Sequence, residues 1–589
     1  MKFNIKKIKR AMPAAVVVAA CLALGSCKKQ FQLEPETELN TTQVYRNVYD
    51  ADAAVIGVYG KLLGIARQYV ILNELRGDLM QVTQNADAAL RDISTHKVKP
   101  GNPYADPRPF YALINDCNDV LKNFGKMRVE NKMKQEEYDM RYSDIGAIRS
   151  WLYLQLAIHF GKVPFVTDPL ETVDAVKDAS RFPRLEFEQM IDTLIAFTEA
   201  LPWKAPYLPG TNLMITVDGT PTQRFFIEKN GLLGDLHLWK ASINPAATHH
   251  YPIAATYYRK VMESEGYFVA PGGEQFYDQF KNSSFGDFSV TYAKGGDIYS
   301  LTDNNTAGWR SMFGRSLDNS WRQEWVWALP FHASFKPENP FIDLFSNNGG
   351  RYLVKPSQEA IDKWNGETQR SGLPYDARGQ MTYKTLGGQP VITKYLYNYL
   401  DETSLLPVNL LQKGGTWFLS RASGLHLKFA EAANRDGRPR LAVSFISGGL
   451  GSNFDTSTAS GRDVTNLQHT LWESEPAYRF DARLGEVPRF RAPWYRHTSI
   501  RRRSNLPDLS IPAGDSLNTI ERSLLHESAL ELAYEGNRWP DLVRYAHRNG
   551  ASVLADAVYR KLQKDGFAGA AEVRTYLEDK NHWYLPFNW

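Results

Sequence analysis

The chain has 589 residues, of which 43% are hydrophobic and 23% charged, and this profile fits a soluble globular body with one large domain or two closely packed lobes. Residues 1–26 hold five Lys or Arg and no acid, so removing them takes the formal net charge from +4 to −1. A nearly neutral mature chain gives no electrostatic reason to expect a nucleic-acid partner.

The N-terminus has the pattern of a bacterial lipoprotein signal. The basic segment MKFNIKKIKR precedes the apolar run AAVVVAACLAL, which is too short to cross a bilayer as a stable helix, and LGSC follows. This pattern predicts cleavage before Cys27, with acyl chains on its thiol and its new amine. Several acyl chains hold a protein on a membrane, because each buried CH₂ contributes about 0.8 kcal/mol. An uncleaved N-terminal anchor helix is the alternative.

Cysteine usage agrees with a lipid-anchored chain. Cys21 leaves with the signal and Cys27 is modified, so Cys117 is the only free thiol of the mature protein. Neither an intramolecular disulfide nor a cysteine-rich metal site is expected. Cys117 lies in FYALINDCNDVLKNF, whose apolar spacing favours a helix, and this setting predicts a buried, inert thiol.

The first half of the chain shows repeated helical periodicity. Apolar residues recur at three- and four-residue spacing, which predicts amphipathic helices. The predicted helices cover residues 50–66, 109–127, 142–161, 184–202, 224–243 and 254–266. They come as neighbouring pairs with short connections, as in stacked helical hairpins, but no fixed repeat length is visible.

After residue 266 the composition changes. Gly, Asn, Ser, Pro and aromatic residues become dense, with short extended pieces such as SVTY, WVWALPF and KYLYNYL. The basic cluster RHTSIRRRS (496–504) is expected to be a solvated surface, with partner docking as the alternative. We divide the single predicted domain as follows: signal peptide 1–26, acylated tether and tail 27–49, helical scaffold 50–266, loop-rich ligand-binding lobe 267–419, and C-terminal helices with irregular segments 420–589.

The stretch HESALELAYEGNRWPDLVRY, residues 526–545, raises the question of catalysis. On a helix, Glu527, Glu531 and Glu535 would share one face. Gly536 is typical of a left-handed helix end and Pro540 of a first helical turn, so EGNRWP (535–540) is predicted to be an interhelical corner. Acid/base catalysis needs a carboxyl with a raised pKa, whereas neighbouring arginines lower it. The pattern favours a structural brace in which Arg538 and Asp541 take part.

These residues also carry a family resemblance. AYEGNRWPDLVRY resembles the C-terminal signature of the SusD/RagB family of Bacteroidota outer-membrane lipoproteins, in which E-G-x-R-x-x-D-L is typical. Further motifs follow the order of the family along most of the chain. They are the lipobox Cys27, FQLEPETELNTTQVYRNVYDADAAVIGVYGKLL, ELRGD (74–78), AIRSWLYLQLAIHFGKVPF, YDARG (375–379) and HLKFAEAAN.

The resemblance implies a mostly α-helical fold with four degenerate tetratricopeptide-like units and an irregular lobe. It implies a surface-exposed lipoprotein of the outer membrane that is not an enzyme. Such a protein captures oligosaccharide, or in some members peptide, for a SusC-like TonB-dependent transporter. The signature positions Glu535, Gly536, Arg538 and Asp541 would then be structural. No cofactor is expected, and a structural calcium ion is left open.

Candidate ligand residues come from aromatics in loop-like segments. Sugar rings present C–H faces that stack on Trp or Tyr, and sugar hydroxyls need polar partners. The candidates are Asn102, Tyr104, Tyr292, Tyr299, Trp309 and Trp321. Ordinary packing in the lobe is the alternative for each of them.

Two other functions stay open at this stage. A surface glycoside hydrolase is one, because its catalytic carboxylates need no local motif. A structural adaptor without a ligand of its own is the other. The sequence contains no H-E-x-x-H, G-x-S-x-G or G-x-x-x-x-G-K-[ST] motif, and neither His249–His250 nor His426 has a partner at ligand spacing.

Overall fold

The computed structural model describes residues 44–172, 182–208, 210–217, 220–262, 293–294, 297–301, 308–314, 324–454, 476–478, 499–511 and 514–589. The α-helices in these ranges are α1 Val48–Leu62, α2 Ala66–Val70, α3 Ala88–Ser94, α4 Arg108–Val129, α5 Gln135–Phe160, α6 Phe187–Ala200, α7 Lys229–Ile243, α8 His250–Met262, α9 Gly308–Phe313, α10 Pro340–Phe345, α11 Gln358–Asn365, α12 Ala377–Thr382, α13 Ala422–Arg435, α14 Pro439–Ile446, α15 Leu450–Asn453, α16 Ile500–Arg503, α17 Ser516–Glu531, α18 Arg538–Asn549, α19 Ser552–Lys564 and α20 Ala570–Leu577. A π-helical turn, Ile71–Leu75, continues α2.

The strands of the described chain form small antiparallel pairs. In chain order they are β1 Met80–Val82, β2 Val163–Pro164, β3 Arg184–Leu185, β4 Thr216–Val217, β5 Thr220–Pro221, β6 Ala293–Lys294, β7 Asp297–Leu301, β8 Trp325–Phe331, β9 Val354–Pro356, β10 Tyr383–Leu386, β11 Gln389–Ile392 and β12 Gly415–Arg421. The pairs are β1–β9, β2–β3, β4–β5, β6–β7, β8–β12 and β10–β11. The longest, β8–β12, runs from Phe331 opposite Gly415 to Trp325 opposite Arg421.

Antiparallel helix pairs build the scaffold, as the periodicity predicts. Helices α4 and α5 pack together, and so do α7 and α8. Gly234 lets the second pair approach closely, because a Cβ there would lie 2.6 Å from Cδ1 of Tyr258. Cys117 is fully buried in α4, and burial raises the pKa of its thiol to about 12, so the predicted inert thiol is confirmed.

The fold class predicted from sequence, mostly α, is confirmed. Each predicted helix of the scaffold has a counterpart in the structure. The strand predicted at WVWALPF is β8, and its alternate tryptophans, Trp325 and Trp327, are both buried. One large hydrophobic core joins the scaffold helices to β8, β12 and α18, so the loop-rich segment packs on the scaffold.

Two local predictions are wrong. KYLYNYL (394–400) forms turns and not an extended strand, and it buries Lys394 and Tyr395. The basic cluster at 496–504 is not a solvated surface in its described part, because Arg501 and Arg503 are buried and paired with acids. SVTY lies outside the described residues.

One helical run in the described chain, Val48–Leu75, is long and apolar enough to cross a membrane by composition alone. More than half of its most apolar stretch, 56%, is buried inside the protein. Such burial is typical of a core helix in a soluble domain.

Candidate functional site

The interhelical corner connects α17 to α18. Helix α17 ends at Glu531, so Glu535 lies beyond the helix, whereas the sequence suggested a helical position. The backbone then adopts positive φ at Tyr534 and at Gly536, with φ of 87° at the glycine. The chain thereby turns back, and α18 starts at Arg538 with Pro540 in its first turn.

A carboxylate from the other end of the chain caps this corner. Glu74, in the π-helical turn, accepts hydrogen bonds from the backbone N–H groups of Gly536 (2.6 Å), Asn537 (2.9 Å) and Tyr534 (3.1 Å). Tyr534 and Gly536 lie in the corner itself, whereas Asn537 is the N-cap of α18, and the N–H of Arg538, the first residue of α18, also donates to Glu74 at 3.4 Å. Burial raises the pKa of the Glu74 carboxyl to about 7, and the N–H donors oppose that rise.

The neighbouring residues of ELRGD hold the same corner. Arg538 forms a two-pronged ion pair with Asp78, with 2.8 Å between Nη2 and Oδ2, and also donates to the carbonyl of Leu525. The guanidinium of Arg76 lies 3.9 Å from the ring centroid of Trp539. Gly77 is needed for close approach, because a Cβ there would lie 2.9 Å from Cγ of Arg538. The ELRGD motif and the C-terminal signature of the resemblance thus form one packed unit.

A buried charge network continues from the corner into the core. Its acids are Asp376, Glu324, Glu527, Glu531 and Glu535, and its bases are Arg378, Arg421, Arg501, Arg503 and Lys394. Arg378, from the YDARG motif, lies 3.1 Å from both Glu527 and Glu531. The five acids and five bases balance in formal charge, which buried charges require.

The signature residue Asp541 belongs to a second cluster. It accepts from Nη2 of Arg544 at 2.6 Å, and it also accepts from the Ser528 hydroxyl. Arg544 in turn pairs with Glu431 of the HLKFAEAAN motif at 3.0 Å. Ser528 and Asp541 therefore tie α17 to α18, and Arg544 ties α18 to α13.

The electrostatics at Glu531, in the middle of the buried charge network, suit a structural charge and not proton transfer. Burial favours the neutral form of Glu531, yet the guanidiniums of Arg503, Arg421 and Arg378 hold its pKa well below the usual range. A general acid needs a raised pKa and access to substrate, and the Glu531 side chain is fully buried. The geometry thus has the character of the brace that the sequence suggested.

The candidate ligand residues Asn102 and Tyr104 lie together before α4. Asn102 is buried and its amide is used locally: Oδ1 accepts from the Tyr104 N–H at 2.9 Å, and Nδ2 donates to the Ala89 carbonyl at 2.8 Å. Tyr104 is half-buried, donates its hydroxyl to Asp87 at 2.7 Å, and lies 5.8 Å from the guanidinium of Arg67. Tyr104 can present part of its ring, and Asn102 positions it.

The hypothesis that Trp309 contacts a ligand is wrong. Its side chain is fully buried in α9, with the Lys394 ammonium 4.9 Å from its ring and Phe313 packed beside it. A ring without an exposed face cannot stack on a ligand from solvent. Trp309 is therefore a packing residue, which was the alternative for this candidate. Tyr292, Trp321 and Cys27 lie outside the described residues, and only the backbone of Tyr299 is described, in β7.

The structure also brings together histidines that the sequence left without partners. The Nδ1 atoms of His237 and His250 are 2.7 Å apart, and Nε2 of His237 lies 3.0 Å from Glu199. The rings of His249 and His250 are tilted by 43° to each other, with centroids 4.4 Å apart. The spacing of 13 residues across the α7–α8 connection hid this pairing. No group of three or more ligands arranged for a metal ion is present among the described residues.

Comparisons with known proteins agree with this architecture. The model of the SusD family matches residues 496–586, which include the interhelical corner. A SusD superfamily protein of Bacteroides vulgatus shares the fold with a TM-score of 0.59 at 14% identity, over 92% of this chain and 96% of that chain. The helical scaffold and its corner thus have the SusD-like fold.

Two further solved structures share the fold. Surface glycan-binding protein A from Bacteroides uniformis has a TM-score of 0.57 at 16% identity, over 92% of this chain and 96% of that chain. A laminarin-binding SusD-like protein has a TM-score of 0.53 at 15% identity, over 88% of this chain and 98% of that chain. No curated protein matches the chain by sequence. Residues 496–586 thus match the SusD family, and the chain shares the fold of solved SusD-like proteins.

Proposed function

We propose that the protein is a nutrient-binding lipoprotein that captures oligosaccharide at the cell surface and passes it to a SusC-like TonB-dependent transporter in the outer membrane. The observation that carries the proposal is the SusD-like fold over 92% of the chain, shared with a protein named for surface glycan binding. The buried carboxylates of Glu527 and Glu531, which are paired with arginines, support a binding role over catalysis. Peptide is the alternative cargo, and a bound calcium ion is left open.

Tyr104 is the described aromatic best placed to contact a glycan. In affinity electrophoresis on gels with laminarin, starch or xylan, we expect the protein to be retarded by at least one polysaccharide. Tyr104→Ala should weaken that affinity about 3- to 10-fold, because a lost ring contact costs about 0.5–1.5 kcal/mol. Tyr104→Phe keeps the ring and should bind nearly as well.

Tyr49→Ala is the matched control, because Tyr49 is a tyrosine that is 67% exposed on α1. It should migrate like the unaltered protein in every gel. If Tyr49→Ala and Tyr104→Ala lose polysaccharide affinity equally, or if neither loses it, Tyr104 is not part of the proposed site. If incubation with the retained polysaccharide releases products, and one carboxylate substitution abolishes the release, the hydrolase alternative gains support.

The lipid anchor has its own test. Cys27→Ala removes the acceptor of the proposed acyl chains, so we expect the mature body to fold normally and to leave the membrane fraction. The measurement is the partition of the protein between membrane and soluble fractions, with Cys117→Ala as the control that should stay membrane-bound. A membrane-bound Cys27→Ala protein would contradict anchoring through this residue.

A further inference from the structure

Two loops leave the β8–β12 pair at the same end. Residues 332–339 follow β8 and residues 401–414 precede β12, and the antiparallel register brings their ends together. The loops also touch, since Nδ2 of Asn339 donates to the Gly414 carbonyl at 3.2 Å. We call residues 332–339 and 401–414 the loop pair.

The loop pair exposes an apolar cluster. Twelve large apolar side chains are exposed in the described chain, and five of them lie here. They are Phe335, Leu406, Val408, Leu410 and Leu411, and each is more than half exposed. Isolated exposed apolar residues are ordinary, whereas a cluster marks a surface that contacts another protein or a membrane.

The backbone of the longer loop is satisfied from within the protein at several points. Asp401 caps the turn that follows it with its side chain. The Val408 N–H donates to the Tyr399 carbonyl at 3.0 Å, and the Leu411 N–H donates to Oδ1 of Asn409 at 2.9 Å. Lipid offers no hydrogen-bond partners, so only N–H groups that are paired within the protein leave water at little cost. The apolar cluster is thus carried by a loop that tolerates an apolar environment.

The composition of the cluster favours lipid over protein. Four of its five members are aliphatic, whereas Trp, Tyr and Arg dominate the binding energy of protein interfaces and Leu and Val are under-represented there. Lys336 and Lys413 flank the cluster, and each pairs with Glu338. Lysine side chains in such positions reach the headgroup layer while apolar neighbours lie deeper. The two lysines and three acids of the loop pair give a formal charge of −1, so apolar contact must hold it and not attraction to anionic headgroups.

The proposed lipid anchor would hold the loop pair near the bilayer. Seventeen residues lead from Cys27 to Val44, the first residue that the structure describes, and this length of chain spans at most about 60 Å. A folded chain of this size has a radius of gyration of about 24 Å, so such a tether lets every face of the body reach the membrane. Anchoring also replaces a separate encounter with a high local concentration of lipid. A small apolar cluster then suffices to select the face that contacts the bilayer.

The loop pair borders the surface around Tyr104. Leu410 packs at Gly349, where its Cδ2 would lie 2.7 Å from an added Cβ. Six residues before this glycine, Asp343 pairs with Arg67 at 3.4 Å, and the Arg67 guanidinium lies 5.8 Å from the Tyr104 ring. A membrane contact through the loop pair would therefore place the surface around Tyr104 close to the bilayer.

We propose that the loop pair is a lipid-binding surface whose five apolar side chains enter the interfacial layer of the bilayer. The occupant of this surface is lipid, and the contact is a second membrane signal beside the acyl chains on Cys27. The proposal rests on the proposed lipid anchor and not on polysaccharide capture. A tether by itself specifies no face of the body, and the loop pair supplies that orientation.

The test holds the mature chain on phosphatidylcholine vesicles that contain a nickel-chelating lipid, with a hexahistidine tag in place of Cys27 as the anchor. Gln412→Cys carries the environment-sensitive fluorophore NBD. The other thiol of this chain, Cys117, is fully buried and stays unlabelled. We expect NBD emission to rise and to shift to shorter wavelength when the protein is anchored. It should not change with vesicles that lack the nickel lipid.

Leu410→Ser together with Leu411→Ser tests the cluster itself. This double variant should lower the ratio of inserted to free loop at least about tenfold, because two leucine side chains no longer leave water for lipid. The NBD shift should then disappear. Ile56→Ser together with Val129→Ser is the matched control and should keep the full shift. Its two side chains are 59% and 81% exposed, against 51% and 87% for Leu410 and Leu411, and they lie outside the loop pair.

Four results would overturn the proposal. One is an unchanged NBD spectrum on anchored vesicles. Another is a full shift in the Leu410→Ser, Leu411→Ser variant, since the fluorophore itself would then be entering the lipid. An equal shift of a label at Ile56→Cys would mean that the body contacts the bilayer without a preferred face. A label that shifts only after outer-membrane proteins are added to the vesicles would mean that the loop pair contacts a protein.

The nickel anchor separates this proposal from the proposed function. It replaces Cys27, so the vesicle result does not depend on acylation in cells. If Cys27→Ala stays membrane-bound in cells while the label enters the vesicles, the acyl anchor fails and the lipid contact stands. If no protein is retained on polysaccharide gels while the label shifts, polysaccharide capture fails and the lipid contact again stands.

Discussion

Replacing Arg421 with methionine is expected to lower the free energy of unfolding by about 3–5 kcal/mol, the cost of breaking a buried ion pair. The guanidinium lies 2.7 Å from Glu324, 2.8 Å from Glu531 and 2.8 Å from Glu535, and all four side chains are buried. Its Nη2 also donates to the Glu531 carbonyl at 2.6 Å. Methionine fills much of the volume but leaves three acids of the network short of a cation, so the loss is electrostatic.

Urea unfolding followed by circular dichroism measures this change, with Arg46→Met as the control. Arg46 also pairs with an acid, Asp50, at 3.1 Å, but its side chain is 66% exposed, so solvent replaces the lost contact. The urea midpoint of Arg46→Met should equal that of the unaltered protein. If Arg421→Met unfolds at the same urea concentration as the unaltered protein, the buried charge network adds no net stability.

Gly536→Ala is expected to lower the free energy of unfolding by about 2–5 kcal/mol, because strain and overlap act together. The backbone at Gly536 has φ of 87°, where a Cβ is disfavoured. The added Cβ would also lie 2.8 Å from Cζ and 2.9 Å from the hydroxyl of Tyr69, and closer still to Cε1. Moving that ring would disturb the corner that Glu74 caps.

Gly550→Ala separates the two contributions. Gly550 has φ of 97°, but no atom lies within 4 Å of an added Cβ, so only the strain of about 1–2 kcal/mol remains. The difference between the two variants in the same urea titration is then the cost of the overlap. If both variants lose the same free energy of unfolding, the Tyr69 ring moves aside at no cost. The close packing at the corner then adds nothing to stability.

Local sequence patterns predicted the helices and the corner, because periodicity, Gly536 and Pro540 act over a few residues. They could not identify the partners of the corner. Glu74 and Asp78 lie about 460 residues away in the chain, and no spacing rule connects them to Gly536 and Arg538. The resemblance named ELRGD and the corner as separate motifs, and only the structure brings them into contact.

The same limit explains the wrong predictions. RHTSIRRRS appears as an exposed basic cluster because its acids, Glu324, Glu367, Glu527 and Glu531, are distant in sequence. Trp309 appeared loop-like because it lies in a segment dense in Gly, Asn and Ser, whereas Lys394 and Arg421 cover it in the folded chain.

The contact between ELRGD and the interhelical corner has a consequence for biosynthesis. A nascent chain that has emerged only as far as Gly514 already contains every scaffold hairpin, yet the carboxylates of Glu74 and Asp78 still lack their N–H and guanidinium partners. Closure must await residues 534–538, and such long-range closure is slow. The C-terminal segment therefore supplies the last partners that the helical scaffold needs at Glu74 and Asp78.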